Sequence, residues 1–399
     1  MKDISRPIIK TVLIPADSTG CSHYRMIFPA MVIKSMFKDI LYIETYKYIL
    51  DKDFYNGIKN VMVQRHVSEG QLKSLEMLKL LSLQYNFWLT YNIDDVVSPD
   101  DIPKYNRSHK IYKELIKNET IKKSMDLCDF IVVTTDDLKN YYMNKFQQNP
   151  NKFIIIPNFL PRWWVGECYN LDKISHLYDK HKNKPRILFT SSSAHYDMDG
   201  SNNYIDDFTH INDFIIRNID KYQFVFIGGL IPKQLEPYKD KLEIYPGYDI
   251  LNFIREVNSK ECQLIIAPLQ NNIFNICKSN IKLIEGWALG IPVIAQNLPN
   301  YSKYTDLIFN DSNDLETVVE DVLSNKNKYL DIVKNCRNIV DFGDENQPNG
   351  YWLEKNINYW FPLFNMQNKS LYIDLNLYKK IENGILNNRS NNKDIMVTL

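Results

Sequence analysis

The sequence lacks the features that mark several classes of protein. Its 399 residues carry 48 basic and 48 acidic side chains, so the formal net charge is zero. A protein that mainly holds a nucleic-acid backbone usually has a basic excess, so the balance argues against that function while leaving room for a local basic patch. No apolar stretch approaches the roughly 18 residues that a transmembrane helix requires. No repeat of 20–50 residues is visible, which excludes solenoid folds.

Zinc and disulfide patterns are also missing. None of the six cysteines lies two residues from another, so neither a zinc ribbon nor a disulfide framework is indicated. The N-terminal residues lack the long apolar segment of a signal peptide. We therefore expect reduced thiols and a cytoplasmic protein without a transmembrane segment.

Two series of short apolar runs, typical of buried strands, alternate with helical patterns. Because such strands are apolar throughout, they predict parallel sheets covered on both faces, an α/β fold of two doubly wound, Rossmann-like domains. The predicted strands lie at 11–16, 60–66, 87–93, 130–135 and 153–157 in the first series, and at 186–193, 223–229, 242–247, 262–268 and 292–296 in the second.

The break between the two series sets the predicted domain bounds. Residues 161–185 carry no strand signal and are predicted to be a linker between an N-terminal domain at 1–160 and a C-terminal domain at 186–345. Residues 346–399 are expected to form C-terminal helices that pack back toward the N-terminal domain, followed by a polar tail. A late helix that caps the second sheet is the alternative.

Ligands of open α/β sheets bind beyond the carboxyl ends of the strands, so the loops after the strands are the places to look for chemistry. In the loop after the first strand, Gly20 allows close approach of a ligand to the backbone, and Arg25 adds a donor. The alternative is an ordinary strand-to-helix turn, since the three-glycine dinucleotide fingerprint is absent.

A pair of carboxylates, Asp94 and Asp95, leaves the third predicted strand. Paired carboxylates can act as a general base, accept hydrogen bonds from sugar hydroxyls or bind a metal ion. An aspartate-rich turn is the structural alternative. We predict a catalytic role for both residues.

Two loops of the second series offer donors for a phosphate group. His195 lies in the serine-rich loop "SSSAHYDMDGSNNY", and Lys233 follows the paired glycines at the end of the next strand. A lysine at this position can reach a diphosphate as a point charge, although most lysines lie in solvent.

The stretch "NNIFNICKSNIKLIEGWALGIPVIAQ" (271–296) gives the most specific signal. It predicts a helix that begins near Ser279, with Ser279 and Asn280 as N-cap residues and the first-turn N–H groups as an anion site. Lys278 and Lys282 add positive charge. Glu285 lies on the same side of the helix and is placed to accept hydrogen bonds from vicinal ribose hydroxyls.

This stretch is similar to the donor-site segment of GT-B glycosyltransferases, close to the retaining family 4 and the "family 1 glycosyltransferase" proteins of bacteria and phages. The run "IIIPNFLP" (154–161) also resembles the hinge entry of that family. The resemblance covers most of residues 8–345 and implies two Rossmann-like domains that face each other across a cleft.

The resemblance also implies roles for particular residues. Glu285 would hold the ribose of a nucleotide-sugar donor, and the backbone near Ser279 and Asn280 would cradle its diphosphate with Lys278. The segment at 243–249, with Tyr248, resembles the lining of the nucleotide base pocket. The family often has a glutamate eight positions before the ribose-binding one, and Cys277 stands there instead, which leaves the identity of the sugar open.

The expected function is transfer of a sugar from a UDP- or GDP-sugar to an acceptor hydroxyl, retaining and without a metal or other cofactor. The expected acceptor is a glycan or, for a phage protein acting in the host cytoplasm, a hydroxymethylated DNA base. The sequence leaves two other functions open: a nucleotide-sugar epimerase and a non-catalytic nucleotide-sugar-binding protein.

Overall fold

The computed structural model describes residues 9–49, 51–190, 192, 194–197 and 204–366. Parts of the serine-rich loop, including Gly200, and the predicted polar tail lie outside the described residues. Within the described part, parallel strands alternate with helices in two six-stranded sheets, which confirms the α/β prediction. None of the helices described has the length and apolar character that a membrane crossing requires.

Each strand is a short apolar run, and most are buried on both faces. The strands are β1 Ile9–Ile14, β2 Ile40–Glu44, β3 Ile58–Gln64, β4 Trp88–Asn92, β5 Phe130–Val133, β6 Phe153–Ile155, β7 Arg186–Thr190, β8 Gln223–Ile227, β9 Glu243–Tyr245, β10 Leu264–Ala267, β11 Val293–Gln296 and β12 Ile308–Phe309.

Most helices connect successive strands, and the last three follow β12. They are α1 Gly20–Ser22, α2 Phe28–Met36, α3 Glu69–Tyr85, α4 His109–Leu115, α5 Asn118–Leu127, α6 Asp136–Phe146, α7 Arg162–Val165, α8 Leu171–Lys180, α9 Asn212–Arg217, α10 Ile250–Ser259, α11 Ile273–Ile276, α12 Ile281–Leu289, α13 Pro299–Ser302, α14 Ser312–Leu323, α15 Lys326–Phe342 and α16 Ile357–Phe364.

The two sheets have different strand orders. The first runs β2-β1-β3-β4-β5-β6, and the second runs β12-β11-β10-β7-β8-β9. The second is the order of a dinucleotide-binding Rossmann sheet, in which β7 lies beside β10 and the chain reverses direction across the sheet between them. In the first sheet the corresponding reversal lies between β1 and β3.

The strands β2 and β12 were not predicted. Both lie at the edge of a sheet, where only one neighbour pairs with them. The strand β12 has two residues, and β2 is exposed or half-buried along most of its length. Edge positions such as these do not need the apolar run by which buried strands were identified.

The chain divides into two compact units. The first contains residues 1–100, 111–157 and 357–399, and the second contains 101–110 and 158–356. The segment predicted as a linker holds α7 and α8, and Tyr169, Leu171, Ile174 and Tyr178 pack against the second core. The sequence did not predict that residues 161–185 pack against the second core, because a short amphipathic helix and a polar linker differ little in composition.

The last described helix belongs to the first unit. In α16, Trp360 is 1% exposed and its ring lies 5.0 Å from the guanidinium carbon of Arg25. The Leu363 carbonyl accepts a 2.9 Å hydrogen bond from the Asn60 side chain. The helix is shorter than the predicted one, since Trp352 lies outside it and pairs with Leu160 in an isolated bridge.

Candidate functional site

The strand-order reversals locate two crevices at the carboxyl edges of the sheets. We call the loops after Thr190 and Ala267, which leave the neighbouring strands β7 and β10, the second-unit switch point. The loops after Ile14 and Gln64, which leave β1 and β3, form the first-unit switch point.

A buried histidine–aspartate pair occupies the loop after β7. The His195 Nδ1 atom lies 2.7 Å from Oδ2 of Asp207, whose side chain is 1% exposed. A backbone hydrogen bond joins the same two residues, because the Asp207 N–H donates to the His195 carbonyl over 3.1 Å. The imidazole is therefore fixed by its side chain and by its main chain.

Three further groups donate to the other carboxylate oxygen of this pair. Oδ1 of Asp207 accepts from the Tyr105 hydroxyl at 2.7 Å, from the Gln270 N–H at 2.8 Å and from the Asn275 side chain at 2.8 Å. Tyr105 comes from the segment 101–110, which belongs to the second unit. Because these donors suit a carboxylate and not a carboxylic acid, the arrangement favours an ionised Asp207.

The titration of the pair follows from these contacts. Burial opposes ionisation of Asp207, but the hydrogen bond and charge of His195 and the other donors outweigh it and lower the pKa of the carboxyl group. Burial, together with the positive charge of Lys282, lowers the pKa of His195 to about 4. The histidine is therefore neutral at physiological pH.

The helix α12 begins two residues later than the sequence predicted. It starts at Ile281, and its N-cap residue Asn280 makes no side-chain cap hydrogen bond. The Asn280 side chain instead donates to the Tyr351 hydroxyl over 3.2 Å, and the Ser279 hydroxyl accepts from Asn158 over 2.9 Å. The Asn280 side chain is thus engaged within the protein, while the Ser279 hydroxyl, which accepts in this contact, can still donate its own O–H to the predicted cradle.

Two lysines and a glutamate gather at the start of α12. Burial lowers the pKa of Lys282 to about 8, with Lys278 adding to the shift and the charges of Asp207 and Glu285 opposing it. The ammonium group of Lys278 lies 4.2 Å from the centre of the Phe274 ring. The structure thus brings Lys278, Lys282 and Glu285 into the electrostatic neighbourhood of the His195–Asp207 pair.

A small pocket lies beside these charges, with a cavity volume of about 10 Å³, which is room for about one water molecule. Its walls are mainly apolar, and its polar lining includes Lys282 and Glu285. The lining residues are Thr190, Phe253, Ile254, Val257, Ile265, Lys282, Glu285, Gly286 and Leu289. The pocket joins the end of β7 to α10 and α12, which is where the switch-point rule places a ligand.

Two other predicted donor-binding residues lie apart from this pocket's lining. The Tyr248 ring is 5.2 Å from the ammonium group of Lys260, which also lies over Tyr245. Lys233 begins an exposed 3₁₀ helix after β8. Both stay predictions, since their side chains are not part of the cluster formed by Lys278, Lys282 and Glu285.

An arginine organises the first-unit switch point. Arg65 directly follows β3, has a left-handed backbone at φ 48° and forms an ion pair with Asp17 in the loop after β1. Its Nε atom lies 3.5 Å from Oδ1 of Asp94. Non-glycine residues in this backbone region are uncommon and cluster at functional sites.

The predicted catalytic aspartates follow β4 at the same edge of the first sheet. The Asp94 side chain is 10% exposed. The pKa of the Cys21 thiol is raised, mainly by burial of the thiol and secondly by the negative charge of Asp94. The Asp95 carbonyl accepts from the Tyr142 hydroxyl over 2.7 Å, which anchors the loop. The structure thus joins Asp94 to a charged pair, Asp17 and Arg65, that the sequence did not single out.

The two remaining first-unit predictions concern Gly20 and Arg25. Gly20 begins α1 directly after the β1 loop and is half-buried. Arg25 is fully buried, and it donates to the Ile156 carbonyl over 2.6 Å and to the Asn92 side chain over 3.4 Å. The Arg25 guanidinium is thus enclosed within the first unit by these contacts, apart from the cluster of Lys278, Lys282 and Glu285, and its donor-binding role stays a prediction.

Several residues of the site were not predicted from the sequence. Arg65 and Asp207 stand at strand-end loops without any motif, and Tyr105 lies in a segment far from Asp207 in sequence. The polar residues that end the predicted strand at 60–66 were a usable signal for Arg65. For Tyr105 and Asp207 no such signal existed, because their contact joins residues that are 102 positions apart.

Among the described residues, no group of three or more His, Cys, Asp or Glu side chains is arranged to hold a metal ion. Cys277 is fully buried, so its thiol does not face a ligand. The position at which the resemblance implies a glutamate is therefore part of the protein interior.

Comparison with known proteins gives structural relatives. No family model matches the sequence, and no curated protein matches it either. Alr3699/HepE of Anabaena, in complex with UDP-glucose, aligns with a TM-score of 0.58 at 11% identity, over 89% of this chain and 99% of that one. A glycosyltransferase of Rickettsia africae aligns at 0.53 with 14% identity over 94% and 99% of the two chains.

A third solved structure, trehalose-6-phosphate from E. coli bound with UDP-2-fluoro glucose, aligns at 0.52 with 9% identity over 90% and 100% of the chains. At these identities the likeness concerns the fold. The chain has the α/β fold of GT-B glycosyltransferases, with two Rossmann-like domains, as the resemblance predicted.

Proposed function

We propose that the protein is a glycosyltransferase, an enzyme of the EC 2.4 type, that moves a sugar from a UDP- or GDP-sugar to an acceptor hydroxyl in the cytoplasm. The observation that carries the proposal is the cluster of Lys278, Lys282 and Glu285 beside a pocket at the second-unit switch point. The complexes of HepE with UDP and UDP-glucose support the same conclusion.

The leaving group explains the two lysines. When the bond to the sugar breaks, negative charge develops on the departing diphosphate. Lys278 and Lys282 supply positive charge, and the amino end of α12 adds the positive end of its dipole. Since these groups are fixed before the reaction, they stabilise the charge without reorganisation. No metal ion takes part in the proposed mechanism.

Glu285 accounts for the ribose of the donor. A carboxylate next to a phosphate site repels phosphate oxygens, but it accepts hydrogen bonds from the two vicinal hydroxyls of a ribose. This division assigns the diphosphate and the ribose of the donor to chemically matched groups.

The first-unit switch point is proposed to serve the acceptor. Asp94, held beside Arg65, accepts the proton of the attacking hydroxyl, and Asp95 contributes to the shape of the loop. Retention of the anomeric configuration is the stereochemistry we propose, and it requires the hydroxyl to attack the sugar from the face that the diphosphate leaves. The proposed transferred sugar is a hexose. The proposed acceptor is a glycan, and a hydroxymethylated DNA base is the second acceptor to assay.

Thermal stabilisation by nucleotides tests the proposal. A ligand present at 100 times its dissociation constant stabilises a protein by about 2.7 kcal/mol, which a melting experiment detects easily. We expect UDP or GDP to raise the melting temperature, and the sugar-loaded form of the same nucleotide to do so as well. If no nucleoside diphosphate or nucleotide sugar changes the melting temperature, the proposal is wrong.

Incubation with UDP-sugars or GDP-sugars alone separates the proposal from its two alternatives. Slow hydrolysis to free sugar and nucleotide supports a transferase, because water can replace the missing acceptor. Formation of an isomeric nucleotide sugar would identify an epimerase. Binding without turnover, even with a panel of glycans and hydroxymethylated DNA, would identify a non-catalytic binding protein.

A further inference from the structure

The His195–Asp207 pair determines which ligand group the second-unit switch point can accept. An ionised carboxylate only accepts hydrogen bonds, so the 2.7 Å contact with Asp207 requires a proton on Nδ1 of His195. In a neutral imidazole the other nitrogen, Nε2, then carries a lone pair. Asp207 thereby fixes the tautomer, as carboxylates do for catalytic histidines.

The surroundings keep the imidazole neutral. The His195 side chain is 14% exposed, and the positive charges of Lys282 and Lys278 both oppose its protonation. Among the residues that the structure describes, no group is hydrogen-bonded to Nε2. This nitrogen is therefore an acceptor for a ligand, and it repels phosphate oxygens, which carry no proton at neutral pH.

The charged groups at this site lie in one neighbourhood, which a nucleotide sugar could span. The charge of Glu285 acts on Lys282, and the charge of Lys282 acts on His195. If Glu285 holds the ribose and the lysine holds the diphosphate, the next group of the ligand beside His195 is the transferred sugar. Sugar hydroxyls are hydrogen-bond donors, which is what an Nε2 lone pair requires.

We infer that His195 recognises a hydroxyl group of the transferred sugar through Nε2, with Asp207 as the positioning residue that fixes its tautomer. The inference rests on the proposed function and extends it, because it names the group that distinguishes a nucleotide sugar from its nucleotide. It also replaces the expectation that His195 contacts phosphate.

The variant His195→Asn tests the role of Nε2. An asparagine amide can replace Nδ1 as the donor to Asp207, but it has no acceptor at the position of Nε2. We expect UDP to bind the variant as it binds the wild type, within twofold. UDP-glucose should bind roughly five- to tenfold more weakly, the loss of one hydrogen bond. If the melting screen favours another nucleotide sugar, that ligand and its nucleotide form the probe pair.

Two further variants complete the titration-calorimetry experiment. Asp207→Asn places an amide donor against Nδ1 and moves the histidine proton to Nε2. This variant should therefore bind the nucleotide sugar more weakly and bind the nucleotide as the wild type does. His176→Asn, at an exposed position of α8, is the matched control and should change neither affinity. Equal weakening of UDP and UDP-glucose by His195→Asn, or no change in either, would overturn the inference.

Nitrogen NMR of histidine-labelled protein gives a readout that a merely structural role would not move. We expect the Nδ1–H tautomer of His195 in the free wild type, and a shift of the Nε2 signal with UDP-glucose but not with UDP. A doubly protonated ring in the UDP complex would show a phosphate contact and overturn the inference. If neither ligand binds the wild type at all, the proposed function fails instead, while the tautomer measurement still reports on Asp207.

Discussion

Lys282 shows how the position of a single residue sets a chemical property of the site. An exposed lysine is charged up to about pH 10. Burial near the amino end of α12 lowers the pKa of Lys282 to about 8. A bound diphosphate favours the charged form, so ligand binding draws a proton onto this residue at moderately alkaline pH.

The affinity for UDP is therefore expected to depend on pH. Between pH 7.5 and pH 9 the dissociation constant should rise up to about tenfold, because free Lys282 loses its proton in this range. The other titratable groups near it are His195, Asp207, Lys278 and Glu285. Calorimetric titrations at both pH values measure the change.

The variant Lys282→Arg provides the control, because arginine stays charged throughout this range. Its affinity for UDP should change little between the two pH values. A variant that keeps the full pH dependence of the wild type would assign the effect to another group.

The same shift has a consequence for stability, and its sign is opposite to that of a salt-bridged lysine. The folded state holds the Lys282 proton less tightly than the unfolded state does. This contribution therefore raises the free energy of unfolding as pH increases from about 8 toward the ordinary lysine pKa of 10.5. Below pH 8 the cost of charging the buried ammonium is present in full.

Replacement of Glu285 by alanine should weaken donor binding. Loss of a charged hydrogen bond to the ribose costs roughly 1.5–3 kcal/mol, or about ten- to hundredfold in the dissociation constant for UDP. Glu236→Ala, on the 3₁₀ helix after β8 with a side chain 53% exposed, is the control and should bind normally. Unchanged UDP affinity in a folded Glu285→Ala protein would remove the ribose assignment.

Replacement of Asp94 by asparagine should lower turnover and leave nucleotide affinity nearly intact. Loss of a general base reduces the rate roughly 100-fold or more. Asp100→Asn is the matched control, since Asp100 is 65% exposed and lies in the same loop. Steady-state rates of transfer or hydrolysis, together with UDP titrations of both variants, test this prediction. Full activity of Asp94→Asn would show that Asp94 only forms the turn and has no catalytic role.

At the scale of elements, α12 depends on a close approach to the second sheet. A Cβ atom at Gly286 would lie 2.4 Å from Cγ2 of Val293 and 3.0 Å from Cδ1 of Ile265. The glycine thus lets the helix that carries Lys282 and Glu285 lie directly against β10 and β11. The helix then ends at Gly290, whose φ of 75° belongs to the left-handed region.

Gly286→Ala should consequently destabilise the protein by about 1–3 kcal/mol, the usual cost of overpacking. Gly70→Ala is the matched control in α3, where an added Cβ meets no atom within 4 Å. That variant should be neutral or stabilised by about 0.4–1 kcal/mol. Urea unfolding followed by circular dichroism measures both, and equal midpoints would contradict the close packing.

Helix and strand prediction succeeded where local pattern decides structure. The strand prediction at 60–66 overlaps β3, and α3 begins after Ser68 with a capping box to Gln71. Between the predicted strands at 87–93 and 130–135 the chain forms two helices, α4 and α5, with a break at residues 116–117. A break of this kind depends on packing, because the residues between them are ordinary helix formers.

At the scale of the whole molecule, the chain's first half and its end build one unit together. The helix α16 packs on α2 and on the first sheet, although about 200 residues of the second unit separate it from them in sequence. In return, residues 101–110 leave the first half and join the second unit. Each unit is therefore assembled from distant segments.

Trp360→Ala should destabilise the first unit by about 3–5 kcal/mol, because this side chain is fully enclosed. Hydrogen exchange locates the effect, since amide protection should fall in β1 and β3 and remain in β10 and β11. Trp163→Ala, at a position 48% exposed in α7, is the control and should leave protection in the first sheet unchanged. Uniform loss of protection in both sheets would contradict the assignment of α16 to the first unit.

The sequence by itself determined the alternation of strands and helices, and with it the two parallel sheets and the edges where ligands bind. It also indicated the cluster of Lys278, Lys282 and Glu285, because these residues lie within two turns of one helix, where spacing alone decides which side chains meet. Only the tertiary structure decided that Arg25 is enclosed, that Arg65 joins Asp17 to Asp94, and that Asp207 fixes His195 with help from Tyr105. Those contacts join residues far apart in the chain, and burial and hydrogen bonding between such residues exist only once the sheets are packed.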